Sequence, residues 1–353
     1  MKIKLLPKDE KLQGKRLLIR LDLNVPLKKK HIVDDYKIQA VIPTLRRLRR
    51  LSSIIIMTHI GDPIVRDEYE VSPALSVAPI ASRVRKLLGG RVFVASGTLS
   101  ELQYQSQCLR TGDIMFLENI RFWSGETKNN LSFARKLGLL GDIYINDAFA
   151  VSHRAHASVS AIKKCLPSYA GPLLAQEVTQ LLRVGKGAKP LVVIFGGAKI
   201  KSKLPLIKAF LPLAWAILVG GDLANDLMAS RHGLPKNKVL IPQLSRLRRL
   251  ADIDDATIAA YEEVIAHAKT IFWNGPMGIF ENKNSRRGTE RIVTAIAAAH
   301  ARGAFTVAGG GETIEAIRFF KRTKAFSWIS TGGGASLSFL SNTPMPGLKG
   351  IIT

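Results

Sequence analysis

Short runs of β-branched and aromatic residues alternate with amphipathic stretches of helical period along the whole chain. In the first half, "KRLLIRLDLNV" (15–25), "SIIIMTH" (53–59), "RVFVAS" (91–96), "DIMFLEN" (113–119) and "DIYINDA" (142–148) read as strands, with helical patterns between them at 37–51, 73–88 and 130–138. In the second half, "KPLVVIFGGA" (189–198), "WAILVGG" (215–221), "KVLIP" (238–242), "TIFWNGP" (270–276), "AFTVAGGG" (304–311) and "FSWIST" (326–331) read as strands, with helices at about 201–211, 257–269, 288–301 and 312–320. These strands are apolar on both faces, as a parallel sheet covered on both sides demands. The pattern predicts an α/β chain with two doubly wound, Rossmann-like parallel-sheet domains. At 353 residues the chain has length for two cores. The boundary is expected near "CLPSYAGPLLAQEVTQLLRVGKGAKP" (165–190), which reads as a joining helix flanked by Pro and Gly.

Strand ends in the second half are rich in glycine: "FGGAK", "VGGD", "WNGP", "AGGGET" and "STGGGAS". Ligands of open α/β sheets bind outside the carboxyl ends of the strands. A missing Cβ lets backbone approach a ligand, and the following helix aims free N–H groups and a positive dipole end at it. Phosphate is the expected guest, although tight strand–helix packing also selects glycine. Neither G-x-x-x-x-G-K-[ST] nor G-x-G-x-x-G occurs, which excludes a P-loop and a dinucleotide fingerprint. Lys199 and Lys203 are four apart at the start of a helix and share a face, while Lys201 lies off it. Glu312 follows a glycine triplet. A carboxylate beside phosphate implies a bridging Mg²⁺, with helix N-terminal capping as the other reading.

The first half carries different chemistry. Asp22 and Asn24 lie on the same side at a strand end, and His59, Arg121, His153, Arg154 and His156 follow other strands. Arginine and histidine converging at the ligand edge suggest a second anionic substrate. His153 and His156 also have a metal-like spacing, but no further ligands sit nearby in sequence. Lys+Arg number 52 against 27 Asp+Glu, a net charge of +25, which attracts polyanions. The densest basic runs, "LRRLRRL" (45–51) and "SRLRRL" (245–250), space leucines three apart. They read as helices with a buried leucine stripe and a solvated arginine face, the alternative being a nucleic-acid face. Two cysteines, Cys108 and Cys165, are too few for a disulfide framework. The longest apolar stretch, around 209–221, contains Pro212 and is too short to span a bilayer. With no export signal recognised, a soluble cytoplasmic protein is expected.

Several motifs together carry a resemblance: "RLDLNVP…DDYKIQAVIPTL", "ENIRF", "GDIYINDAFAVSHRAHAS", "FGGAKIKSKL", "FWNGPMGIFE", "GGGET" and "STGGGASL…PG". In order and approximate spacing, nearly end to end, the chain resembles the phosphoglycerate kinases. The resemblance implies reversible phosphoryl transfer between 1,3-bisphosphoglycerate and MgADP, giving 3-phosphoglycerate and MgATP. It implies a glycerate-binding domain at 1–168, a hinge helix at 169–187, a nucleotide-binding domain at 188–335 and a return of 336–353 onto the first domain. Position by position, Asp22, Leu23, Asn24, Lys37, His59, Ile60, Gly61, Asp62, Arg121 and Arg154 fall at the glycerate site. Gly197, Ala198, Lys199, Lys203, Gly220, Asn274, Pro276, Gly278, Glu281, Gly310, Gly311, Glu312 and Thr313 fall at the nucleotide site, with Glu312 reaching Mg²⁺ through the nucleotide. Lys37, Lys199, Lys203, Gly333 and Gly334 are the positions implied to attend the transferred group, with Gly332 in the same loop. The partners implied are these substrates alone, for a monomer without membrane or specific nucleic-acid binding, any polyanion binding being weak and non-specific.

The chain departs from the family's pattern at several points. Lys37 and Asp62 stand where the family has arginines, Glu312 and Ser202 where it has aspartates, and Trp328 where it has histidine, whose hinge partner Glu177 is present. The chain is also shorter around 243–252. Lys37 keeps a charge but loses a bidentate fork. Asp62 inverts a charge, for which Arg66 is a candidate replacement. The competing expectation is a catalytically weakened relative kept for nucleotide or nucleic-acid binding.

Overall fold

The computed structural model describes residues 2–29, 31–198, 200–230, 232–242 and 251–353. It divides into two units, one of Met1–Gln176 with Met345–Thr353, the other of Glu177–Pro344.

Among the described residues, the first unit has strands β1 (Arg16–Leu21), β2 (Leu27–Lys28), β3 (His31–Ile32), β4 (Ser53–Met57), β5 (Val92–Ala95), β6 (Ile114–Leu117), β7 (Ile143–Asp147) and β8 (Ser168–Ala170). Apart from the small antiparallel pair β2–β3, they form one parallel sheet of order β5-β6-β4-β1-β7-β8. The chain leaves β1 for β4 on one side and later returns to β7 on the other, so the winding reverses between β1 and β7. Every residue of β4 is buried. Leu17, Ile19, Ile54 and Ile56 pack with Val41, Leu45 and Val84 of helices Tyr36–Leu48 and Ala78–Leu88. In "LRRLRRL", Leu45 and Leu48 are buried and Arg46, Arg47 and Arg50 exposed; the other basic run, 245–250, lies outside the described residues.

The second unit has β9 (Leu191–Phe195), β10 (Ala216–Val219), β11 (Val239–Leu240), β12 (Thr270–Asn274), β13 (Phe305–Gly309) and β14 (Trp328–Ser330). Among the described residues they form a parallel sheet of order β11-β10-β9-β12-β13-β14. This is the doubly wound order whose reversal, here between β9 and β12, leaves a crevice beyond the strands' carboxyl ends. Val192, Ile194, Ile271 and Trp273 pack against Ile258 and Ile265 of helix Asp255–His267 and Ile292 and Ile296 of helix Arg287–Ala301.

Several elements differ from expectation. Ser168–Ala170, inside the stretch read as joining segment, is a strand paired with β7, and the helix starts only at Pro172, running to Lys186. Its amino end is capped by Asp147, whose Oδ1 accepts the Leu174 N–H at 2.9 Å. Helix Leu99–Gln107 was not foreseen because "LSELQYQSQ" buries only Leu102 and Ser106, so no apolar stripe marks it; a reciprocal cap between Thr98 and Glu101 starts it. Helices Gly221–Ala229 and Gly334–Leu340 begin inside glycine runs. The segment that rejoins the first unit starts at Met345, and Gly334–Leu340 belongs to the second. Gly347 donates to Ser152 O (2.8 Å) and accepts from Asn146 Nδ2 (3.1 Å), while Ile3 bridges Ile352.

Candidate active site

Each sheet has a candidate site at the carboxyl ends of its strands. In the first unit the edge is built around cations. Arg20 sits in β1 with no exposed surface, its Nε donating to Ser158 Oγ at 3.0 Å and its Nη2 to His59 Nδ1 at 3.2 Å. A guanidinium can only donate, so His59 Nδ1 accepts and the ring carries its proton on Nε2. Burial, then the charges of Arg20, Arg121, Lys37 and Arg154, hold His59 far below its ordinary pKa, so it is neutral. Glu126, fully buried, balances Arg20: it accepts from Ser158 N (2.8 Å) and Oγ (2.6 Å) and faces His156 at 3.6 Å.

Arg121 follows β6 in a single 3₁₀ turn and is 4 % exposed. Its Nη1 donates to Gly61 O at 2.7 Å and pairs with the Asp62 carboxylate. Its Nε and Nη2 are buried with no partner among the described residues. An unanswered buried donor on a cation is expensive. Asn24 reaches Gly61 N from the β1 side at 3.1 Å, and Lys37 grips Asp22 at 2.7 Å. The Leu23 and Ile60 side chains are core; at this edge they offer backbone only, Leu23 N to Thr58 Oγ1 and Ile60 O to Asn119 Nδ2. Arg154 is exposed but near enough to lower His59 and Arg121. Arg66 is exposed, and its backbone N–H goes to Glu70. His153 is half-buried with an unpartnered Nδ1, and among the described residues no three His, Cys, Asp or Glu side chains converge as a metal site.

In the second unit the glycines fall into two kinds. A Cβ on Gly196 would overlap the Pro276 carbonyl, one on Gly275 the Gly196 backbone, and one on Gly220 would meet Met277 Sδ at 2.6 Å. These glycines let strand ends press together. Gly311 and Gly333, in contrast, face open space. Gly310 takes φ +99°, a conformation that favours glycine, as the cap of helix Gly311–Phe319. A cleft of about 500 Å³ brings together Gly197, Ala198, Pro276, Gly278, Glu281 and Glu312 with Gly221, Asp222, Ala251, Ile279 and Phe280. Asn274, Thr313 and Lys203 stand behind it as a scaffold. Lys203, 8 % exposed, donates to Asn274 O at 2.9 Å and to Asn274 Oδ1; Asn274 Nδ2 donates to Gly309 O at 2.6 Å; Thr313 Oγ1 accepts from Gly275 N at 2.7 Å. Lys201 is exposed; Lys199 and the Ser202 side chain lie outside the described residues.

The phosphoglycerate kinase family model matches residues 8–247 and 236–343. The chain belongs to the phosphoglycerate kinase family. It is 36% identical to the phosphoglycerate kinase of Thermomicrobium roseum over 97% of each chain, and 35% identical to that of Chlorobaculum tepidum over 97% of this chain and 98% of the relative. The solved phosphoglycerate kinase of Coxiella burnetii matches with a TM-score of 0.85 at 30% identity over 96% of each chain, and that of Pyrococcus horikoshii with 0.78 at 27%. Family membership makes the chain a kinase acting on a carboxyl acceptor. The two family matches overlap at 236–247, next to the segment read as shortened, 243–252, of which 243–250 is outside the described residues. Trp328 Nε1 donates to Glu177 Oε2 (3.0 Å), while Thr331 N and Oγ1 donate to Oε1 (2.8 and 3.1 Å).

Sequence reasoning missed Arg20, Glu126, Asp222 and Ile279. For Arg20 the signal was a charge inside the strand, four residues after Arg16 and flanked by apolar residues. For Ile279 it was an apolar residue in "WNGPMGIF" that ends 56% exposed beside the cleft.

Proposed function

We propose that this chain transfers a phosphoryl group reversibly between 1,3-bisphosphoglycerate and MgADP, with the glycerate at the first unit's edge and the nucleotide in the second unit's cleft. The observation that carries it is Arg121. A buried guanidinium with two unanswered donors, beside Arg20, Arg154 and neutral His59, fits a carboxylate or phosphate that accepts both. Asp62 takes only Nη1, so the charge inversion at 62 leaves that demand in place. His59 Nε2–H and the Asn24 amide supply orientation without added charge.

In the second unit, Ile279 and Phe280 offer an apolar wall to a purine, Glu281 a ribose acceptor, and Gly311 open backbone to phosphate. Asp222, Glu281 and Glu312 surround a cleft that would hold an anion, which calls for a cation between them. The oxygen donors of Glu312 and Asp222 fit Mg²⁺, which when bound with the nucleotide neutralises charge on the phosphate oxygens. The protein's own part is positioning. Lys203 holds the β9–β12 crevice at Asn274. Lys37, drawn to Asp22 here, is free to exchange that carboxylate for a substrate oxygen. In-line transfer requires the two substrates to meet, so the reading includes closure about helix Pro172–Lys186, in a monomer of the cytoplasm.

A coupled assay tests this, run with ATP and Mg²⁺ against either 3-phosphoglycerate or acetate. Turnover with 3-phosphoglycerate that stops on chelation is expected. No turnover, or equal use of acetate, would overturn the substrate assignment.

A further inference from the structure

The opposite edge of the second sheet has a composition that phosphoryl transfer does not explain. The segments that lead into its strands are 183–190, 211–215, 234–238, 266–269, 301–304 and 320–327, and none contains Asp or Glu. They carry Lys189 before β9, Lys238 before β11, Lys269 before β12, Arg302 before β13 and Lys324 before β14. Of these, Lys189, Lys269, Arg302 and Lys324 are exposed. The segments adjoin: Lys189 Nζ donates to Leu213 O (3.1 Å), Lys269 N to Pro190 O (2.9 Å), Phe305 N to Lys269 O (2.9 Å) and Arg302 Nη2 to Ala266 O (3.2 Å). At about 4.8 Å per strand the row is roughly 24 Å long.

Helix-dipole compensation explains some of these cations, since Lys189 and Arg302 meet terminal carbonyls. It does not explain Lys269 or Lys324, whose side chains have no carbonyl or carboxylate partner among the described residues. Nor does it explain the aromatic groups within the row. Trp215, before β10, is 48% exposed and meets the His267 ring edge-on at 6.4 Å. Arg183 lies over the Phe305 ring at 3.9 Å. The first unit's corresponding edge differs in carrying acids among its cations: Asp142 pairs with Arg16 (2.8 Å) and Asp113 with Arg91 (3.1 Å).

We propose that this amino-terminal edge of the second unit is a binding surface for single-stranded RNA, sequence-tolerant and separate from the kinase cleft. A line of cations tracks a phosphate backbone, and an exposed indole offers a stacking face to an unpaired base. Duplex is disfavoured because its bases are already stacked. An anionic membrane is disfavoured because the unit's helices meet this edge end-on, whereas membrane binding wants an amphipathic helix lying in the plane.

The test is fluorescence anisotropy of a labelled twelve-nucleotide oligouridylate across a salt series. Two double reversals that change net charge equally are compared, Lys269→Glu with Lys324→Glu and Arg46→Glu with Arg50→Glu, alongside Trp215→Ala. Thermal midpoints establish that each variant is folded. The first pair is expected to weaken binding strongly and flatten the log–log salt slope by about 1.4, two phosphates at ~0.7 each. Trp215→Ala should weaken it about tenfold with the slope unchanged. The control pair should change affinity less than threefold. Equal loss from both pairs would show that total charge alone attracts RNA and would overturn the site. So would indifference to Trp215→Ala, or phosphatidylserine vesicles that depend on Trp215 while RNA does not.

Discussion

At Arg121 the fold leaves a cation partly answered. Asp62 covers one nitrogen from solvent: its side chain is 83% exposed, whereas that of Arg121 is 3%. An ion pair with one partner so wet is worth at most about 1 kcal/mol, and substrate must compete with it. Asp62→Asn should therefore lower KM for 3-phosphoglycerate by up to about fivefold with little change in kcat, since the interaction is lost equally from ground and transition states. Steady-state kinetics with 3-phosphoglycerate varied checks this; an unchanged or higher KM would mean that Asp62 orders the loop for binding. Lys203 poses the converse case. It is buried, and it ties the helix after β9 to Asn274 at the end of β12. Lys203→Ala removes both the tie and a buried cation at the crevice. Turnover should fall on the order of 10²–10³-fold, the usual cost of one preorganised donor, and single-turnover rates within a few-fold of wild type would refute the role.

At the scale of elements, the cap of helix Pro172–Lys186 has a pH dependence of its own. Burial pushes Asp147 up to about 7, against which the Leu174 and Leu173 amides pull weakly. The folded state thus holds the proton more tightly than the unfolded chain. That contribution is fully present below about pH 4 and is lost as pH rises through 7. Asp147→Asn cannot lose it. Between pH 5 and 8 the variant should gain on wild type by on the order of 2–3 kcal/mol, read from denaturant midpoints at each pH; parallel pH profiles would refute it. The elements themselves were largely legible. Strands apolar on both faces leave few alternatives to covered parallel sheets, and β4 and β9 are buried throughout. Helix Leu99–Gln107 was not legible because its stability lies in a cap and not in a stripe. The glycine loops were legible as a location but not in their reasons. Gly196 and Gly275 serve backbone packing, and only the folded strand ends distinguish them from Gly311, which faces open space. Arg20 and Glu126 escaped because a buried charge is defined by a partner more than a hundred residues away.

At the scale of the whole molecule, the first unit is discontinuous. Residues 345–353 supply Gly347 to Asn146 and Ser152, Ile352 to Ile3, and the Lys349 carbonyl to Lys163 Nζ at 2.7 Å. Lys163 is lowered to about 8, by burial first and then by Lys349. A chain cut after Pro344 lacks these contacts, yet keeps every residue of the second unit. Limited trypsin digestion of that truncation should cleave the first unit early and leave 177–344 protected; equal protection of both units would refute it. The same discontinuity sets an order on synthesis. A ribosome adding ~5–20 residues per second needs on the order of ten to thirty seconds to travel from Gln176 to Met345. Throughout that interval the nascent first unit lacks its final piece, while the second emerges with all of its strands in one uninterrupted stretch. The part of the chain translated first is therefore the part completed last, and it is the first unit that a chaperone would be required to hold.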